Sequence, residues 1–143
     1  MSMTDAQRAR VIEAAQGWLN TPYHHRARVK GAGVDCAQLL IGVYAEAGLI
    51  DPFDTGDYPM DWMLHREEER FLLWLEHYCA VVASPLPGDI AIWRYGRTFS
   101  HGAIVTDWPA IIHAWRPAGR VVIGSADEEE LAGRPVRLYR IKE

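Results

Sequence analysis

Cysteine is scarce in this chain of 143 residues, where Cys36 and Cys79 are the only two. Two cysteines do not make a disulfide framework of the kind that staples small secreted scaffolds. No stretch approaches the roughly 20 apolar residues that span a membrane. The N-terminus has no apolar run like that of a signal peptide. The expectation is a protein cytoplasmic as synthesised, with reduced thiols and no membrane partner. Lysine is also sparse, since 13 of the 15 basic residues are arginine, and net charge is −4. That balance gives no reason to expect a nucleic-acid partner. No internal repeat, low-complexity tract or linker divides the chain, so it reads as one domain over 1–143. Gly31-x-Gly33 is too short for a nucleotide loop, and no cofactor is expected.

What is present is ordinary globular composition, 49% hydrophobic and 24% charged. Thr4 with Gln7 has capping-box spacing, and the stripe Ala9, Val11, Ile12, Ala15, Trp18, Leu19 predicts a helix ended by Asn20-Thr21-Pro22. Tyr23 to Gly33 reads as a basic loop holding His24, His25, Arg26, Arg28 and Lys30. Asp35 and Gln38 repeat the cap pattern, and Leu39, Leu40, Val43, Tyr44 and Ala47 keep one helical face until Gly48. Asp51 to Asp61 reads as an acidic loop, and Met63 to Tyr78 as a third helix followed by core at Cys79 and Val81-Val82. His65 and His77 read as surface. From Ser84 onward short strands are expected: Ile90–Trp93 after the Pro87-Gly88-Asp89 turn, then His101–Val105, Ala110–Trp115, Val121–Ile123 and Val136–Ile141. Helices first and an antiparallel sheet after is α+β organisation.

Two places carry chemistry. Cys36 falls at the first position of the second helix, where unpaired N–H groups and the helix dipole favour an anion and hence a thiolate near neutral pH. A small buried packing residue is the plain alternative. In the hairpin, a centre near Asp107 sets His101 opposite His113, Ala103 opposite Ile111 and Val105 opposite Pro109, all on one face. A nucleophile with a base and an orienter needs these parts.

Thr21-Pro22-Tyr23, Val34-Asp35-Cys36, Pro87-Gly88-Asp89, Ser100-His101-Gly102-Ala103-Ile104-Val105 and Ile112-His113-Ala114 occur in that order. The pattern, spanning roughly Gly17 to Trp115, resembles the NlpC family of papain-like cell-wall peptidases, particularly its small phage-associated branch. The resemblance implies a papain-like α+β core, with N-terminal helices packed on a bent antiparallel sheet. It implies Cys36 as nucleophile, His101 as general base, His113 as orienter and Tyr23 as a hydroxyl beside the oxyanion. From their position just before Cys36, Arg26, Arg28 and Lys30 are expected to rim the site for a substrate carrying carboxylates, with Asp35 beside them. It implies hydrolysis of bacterial murein stem peptides through a thioester, at a bond between D-glutamate and a diamino acid. Virion or tail association and phage tail partners follow from the same branch. Ala37-Gln38 stands where family members commonly have Ser-Gly, which bears on substrate fit.

Three readings compete. A zinc site of Cys36, His101 and His113 lacks the close ligand pairs of structural zinc motifs, so no metal is expected. A non-catalytic tail component would keep the fold without needing those residues. A cysteine acyltransferase or thioesterase would keep the chemistry and present an apolar groove instead of an arginine rim.

Overall fold

The second helix is almost entirely interior. In a computed structural model that describes residues 3–50, 75–95, 98–128 and 130–142, α2 spans Cys36–Glu46, and Leu39, Leu40, Val43 and Tyr44 are fully buried. Each such side chain contributes about 1.5–3 kcal/mol by leaving water. The first helix, α1 (Asp5–Gly17), starts at the Thr4–Gln7 capping box and packs on α2 through Val11 and Ala15. Its polar outer face explains why only a narrow stripe is apolar.

Between the helices, the basic loop contains a short antiparallel pair, β1 (Arg28–Val29) with β2 (Gly33–Val34). The loop expected from sequence is therefore partly strand. The remaining strands among the described residues are β3 (Cys79–Val82), β4 (Ile90–Tyr95), β5 (Thr98–Asp107), β6 (Ala110–Trp115), β7 (Arg120–Ser125) and β8 (Val136–Ile141). They form one sheet in the order β3-β8-β4-β5-β6-β7, each neighbour antiparallel. Helices packed on a six-stranded antiparallel sheet is the α+β architecture expected.

The segment 75–78 is helical, as the third helix requires, but the rest of that helix, the acidic loop before it and His65 lie outside the described residues. Cys79 is buried as expected. Val81 is 65% exposed although it shares the strand face of Cys79, because β3 is the edge strand of the sheet.

Alternation also divides the sheet into two faces. Ile90, Ile92, Ile104, Ile112 and Ala114 join the core beneath the helices. Ala91, Trp93, Ala103, Val105 and Ile111 form a second cluster with Ala126 and Leu131. Gly102 belongs to the helix side, where a Cβ would come within 2.9 Å of Leu40 and 3.0 Å of Ile92. Only glycine lets α2 approach β5 so closely.

The turn before β4 ties the layers together. Asp89, fully buried, accepts from the Leu86 N–H (2.8 Å), from Arg8 of α1 (3.1 Å) and from Arg140 of β8 (2.8 Å). Gly88, at φ +88°, offers its carbonyl to the Tyr44 hydroxyl of α2. The Pro87-Gly88-Asp89 motif is thus a buried ionic junction among α1, α2 and the sheet.

Candidate active site

The cap of α2 forms as its sequence requires. Asp35 is extended and accepts the Gln38 N–H at 2.9 Å, which leaves Cys36 at the first helical position. The other carboxylate oxygen of Asp35 accepts the Arg26 N–H at 2.8 Å, with His25 Nδ1 at 3.8 Å. Arg26 needs that support, since its φ is +66°. Asp35 is therefore a buried fastener of the loop onto the helix start. Arg28 donates to Gln38 Oε1 at 3.1 Å, and Lys30 pairs with Glu46 beneath Trp18. Both rim cations are thus tied to α2, and Glu46 offsets the charge of Lys30.

Cys36 is 7% exposed. The backbone N–H groups of Gly102, the residue after His101, of Ala37 and of Cys36 itself favour its ionised form. Burial pushes the thiol up to about 12, and the charge of Asp35 adds to that. The three N–H groups work in the opposite direction without overcoming burial. The thiolate expected near neutral pH is thus replaced by a thiol, because desolvation outweighs the helix terminus here.

His101 Nε2 lies 2.9 Å from His113 Nδ1. The two residues do meet, although the register differs from expectation. Ile104 pairs with Ile112 and Val105 with Ile111, after which a bulge lets Asp107 pair with Ala110. The shift from the expected register is two residues, so parity and face are kept. The histidines sit diagonally rather than directly opposite. Burial, then the neighbouring His113, holds His101 well below its ordinary value, and burial brings His113 down to about 4. Both are neutral at rest.

An aromatic wall surrounds the pair. Trp115 stacks on His113 at 4.9 Å and meets His101 edge-on at 5.1 Å. Trp93, the cross-strand partner of His101, and Tyr95 lie 5.9 and 6.1 Å away. These aromatics were not singled out from sequence. Their signal was available in the spacing of Trp93 with Tyr95 and His113 with Trp115, each two apart on one strand face. Tyr95 also feels the charge that Cys36 would carry, so it lies within electrostatic reach of both thiol and imidazole.

Tyr23 packs against the helix-side core and is held by its N–H to Gly119 O at 2.8 Å. Burial raises its phenol pKa, with further contributions from Cys36 and Asp35. The hydroxyl therefore keeps its proton beside the sulfur and is a donor. Among the described residues no three His, Cys, Asp or Glu side chains are grouped to hold a metal ion. Among them, too, no helix is long and apolar enough to cross a membrane.

No family model matches the sequence, and no curated protein does. Solved structures do match. The NlpC/p60 domain of the peptidoglycan hydrolase SagA superposes with a TM-score of 0.61 at 20% identity, over 95% of this chain and 98% of that one. The fold is that of NlpC/p60 domains. A lipoprotein-like NLP/P60 protein of Staphylococcus aureus has the same fold, with TM-score 0.69 and 15% identity over 100% of this chain, which spans 44% of that protein. RipD of Mycobacterium tuberculosis, a non-catalytic NlpC/p60 domain protein adapted to peptidoglycan binding, superposes with TM-score 0.62 at 14% identity over 95% and 98% of the two chains. The NlpC/p60 fold thus serves hydrolysis in one of these relatives and binding in another.

Proposed function

We propose that this protein is a cysteine peptidase of bacterial murein, cleaving stem peptides between D-glutamate and a diamino acid through a thioester on Cys36. One observation supports the reading most: the Gly102 N–H favours the ionised sulfur of Cys36, and Gly102 is next in chain to a histidine that is itself engaged by a second histidine. With Nε2 of His101 turned to His113, Nδ1 is the nitrogen left to serve the thiol.

Because thiol and imidazole both rest neutral, the proton leaves sulfur for His101 Nδ1 as sulfur attacks the carbonyl carbon. The oxyanion that forms is held by the Cys36 N–H and the Tyr23 hydroxyl, where one such donor typically lowers the barrier by about 2.7–4 kcal/mol. The imidazolium then protonates the leaving amine, the C–N bond breaks, and a thioester remains. Water attacks it, gives a proton to His101, and frees the acid and the thiol. His113 accepts from His101 and keeps the ring in the productive tautomer. The exposed Arg26, with Arg28, borders the loop beside Cys36 and suits the free carboxylates of a stem peptide. Phage or tail association belongs to the same proposal and rests on the sequence resemblance.

The test is product release from purified stem peptides, read as a new amine. The wild type is expected to generate it, and Cys36→Ala and His101→Ala are expected to abolish it while remaining folded. Peptide bound and left intact by the wild type would favour a binding module, for which the RipD fold is a precedent.

A further inference from the structure

His113 has a second nitrogen that the mechanism does not use. Its Nε2 is fully buried and has no hydrogen-bond partner. The direction of the histidine–histidine bond decides what that atom must be. His101 can take the thiol's proton on Nδ1 only if its own proton sits on Nε2, from which it donates to His113 Nδ1 at 2.9 Å. His113 must then carry its proton on Nε2, which makes the orphan atom a buried donor. A buried donor without an acceptor disfavours that tautomer. The other tautomer reverses the bond and leaves His101 protonated on the nitrogen that should receive the proton.

An acceptor stands one residue's width away. Val122 on β7 pairs with His113, and Gly124, two residues along the same face, lies directly under Nε2. A Cβ at Gly124 would be 2.6 Å from His113 Nε2 and 3.3 Å from Glu128 Oε1. The two atoms are therefore no farther apart than those distances added, and since they are not hydrogen-bonded as they stand, the exposed Glu128 side chain has to turn in over the missing Cβ to close the gap. Glu128 is folded back over the strand end by accepting the Ser125 N–H at 3.1 Å, in a turn closed by Glu128 N–H to Ser125 O. A carboxylate has lone pairs for a second bond.

We infer that Glu128 is a positioning residue: turned in across Gly124, its carboxylate accepts the Nε2–H of His113, fixes that tautomer, and through it aims the bare nitrogen of His101 at Cys36. The catalytic consequence rests on the hydrolase reading, whereas the tautomer itself does not. No atom is transferred along this chain of bonds; its effect is to select one arrangement of two protons.

The test uses the full chain labelled with nitrogen-15 histidine. In the wild type, His113 is expected to show a protonated Nε2 and a bare Nδ1. Glu128→Ala is expected to mix or invert those signals and to slow stem-peptide turnover about tenfold, one unit in the proton equilibrium. Glu128→Gln, whose amide oxygen can accept the same bond, is expected to restore both. A Glu128 that merely stabilised the turn would leave the His113 tautomer unmoved in Glu128→Ala. That result, or a wild-type His113 protonated on Nδ1, overturns the inference. If the wild type releases no product, the hydrolase reading fails and the spectra still decide the role of Glu128.

Discussion

Lowering the pH should destabilise this protein through His113, by an amount the structure sets. Burial holds the folded-state pKa at about 4, against 6.5 for an ordinary histidine. The folded protein thus prefers the neutral ring, and the unfolded chain binds the proton more readily. The contribution to stability is fully present above the unfolded value and is lost as pH falls through the window from 6.5 toward 4. At 1.36 kcal/mol per unit, the loss is about 3 kcal/mol. His101 is shifted in the same direction by burial and by His113, so its own loss adds at acid pH. His113→Asn isolates the effect, because an amide can still accept from His101 and does not titrate. The assay is urea unfolding followed by tryptophan fluorescence, for which Trp18 and Trp93 are buried reporters. Between about pH 7.5 and pH 4 the wild type is expected to lose roughly 3 kcal/mol more than His113→Asn. Equal losses in the two proteins would show that His113 is not buried as a neutral ring, and the packing around the site would be wrong.

Two other perturbations test separate parts of the structure. Asp89→Ala strands Arg8 and Arg140 and is expected to cost about 3–5 kcal/mol in urea unfolding, the usual loss when one partner of a buried pair is removed; a loss below about 1 kcal/mol would mean that the junction is solvated. Alkylation of Cys36 is expected to accelerate with pH through the alkaline range, and Asp35→Asn, which removes the charge opposing ionisation, to speed it at fixed pH while leaving Cys79 unchanged. A plateau reached below about pH 7 would restore the resting thiolate.

Much of the site could be read from residue order because its parts depend on local rules. Asp35 and Gln38 fix where α2 begins, and this places Cys36 at its first position without help from the rest of the fold. The shared face of His101 and His113 survived an error in register because parity tolerates a shift of two. The shift came from the turn, which falls at Trp108-Pro109 rather than at Asp107, and a bulge near Thr106 that no local pattern announced then took back one residue and restored the parity. The ionisation of Cys36 was misjudged for a similar reason. A helix start is visible in sequence, but the burial that opposes it comes from β5, β6 and the loop before α2, which meet only in three dimensions. The Arg8–Asp89–Arg140 junction joins residues from opposite ends of the chain and left no trace in spacing. Val81-Val82 reads as core in the sequence where the third helix ends, and only the sheet order shows that β3 is an edge that leaves Val81 exposed.

The most direct measurement is the intact mass of the protein quenched during turnover of a stem peptide. A thioester on Cys36 requires the wild type to gain the mass of the acyl half, at Cys36, with the amine half already free. Product formation with no adduct at Cys36, or undiminished in Cys36→Ala, would contradict nucleophilic catalysis by that sulfur.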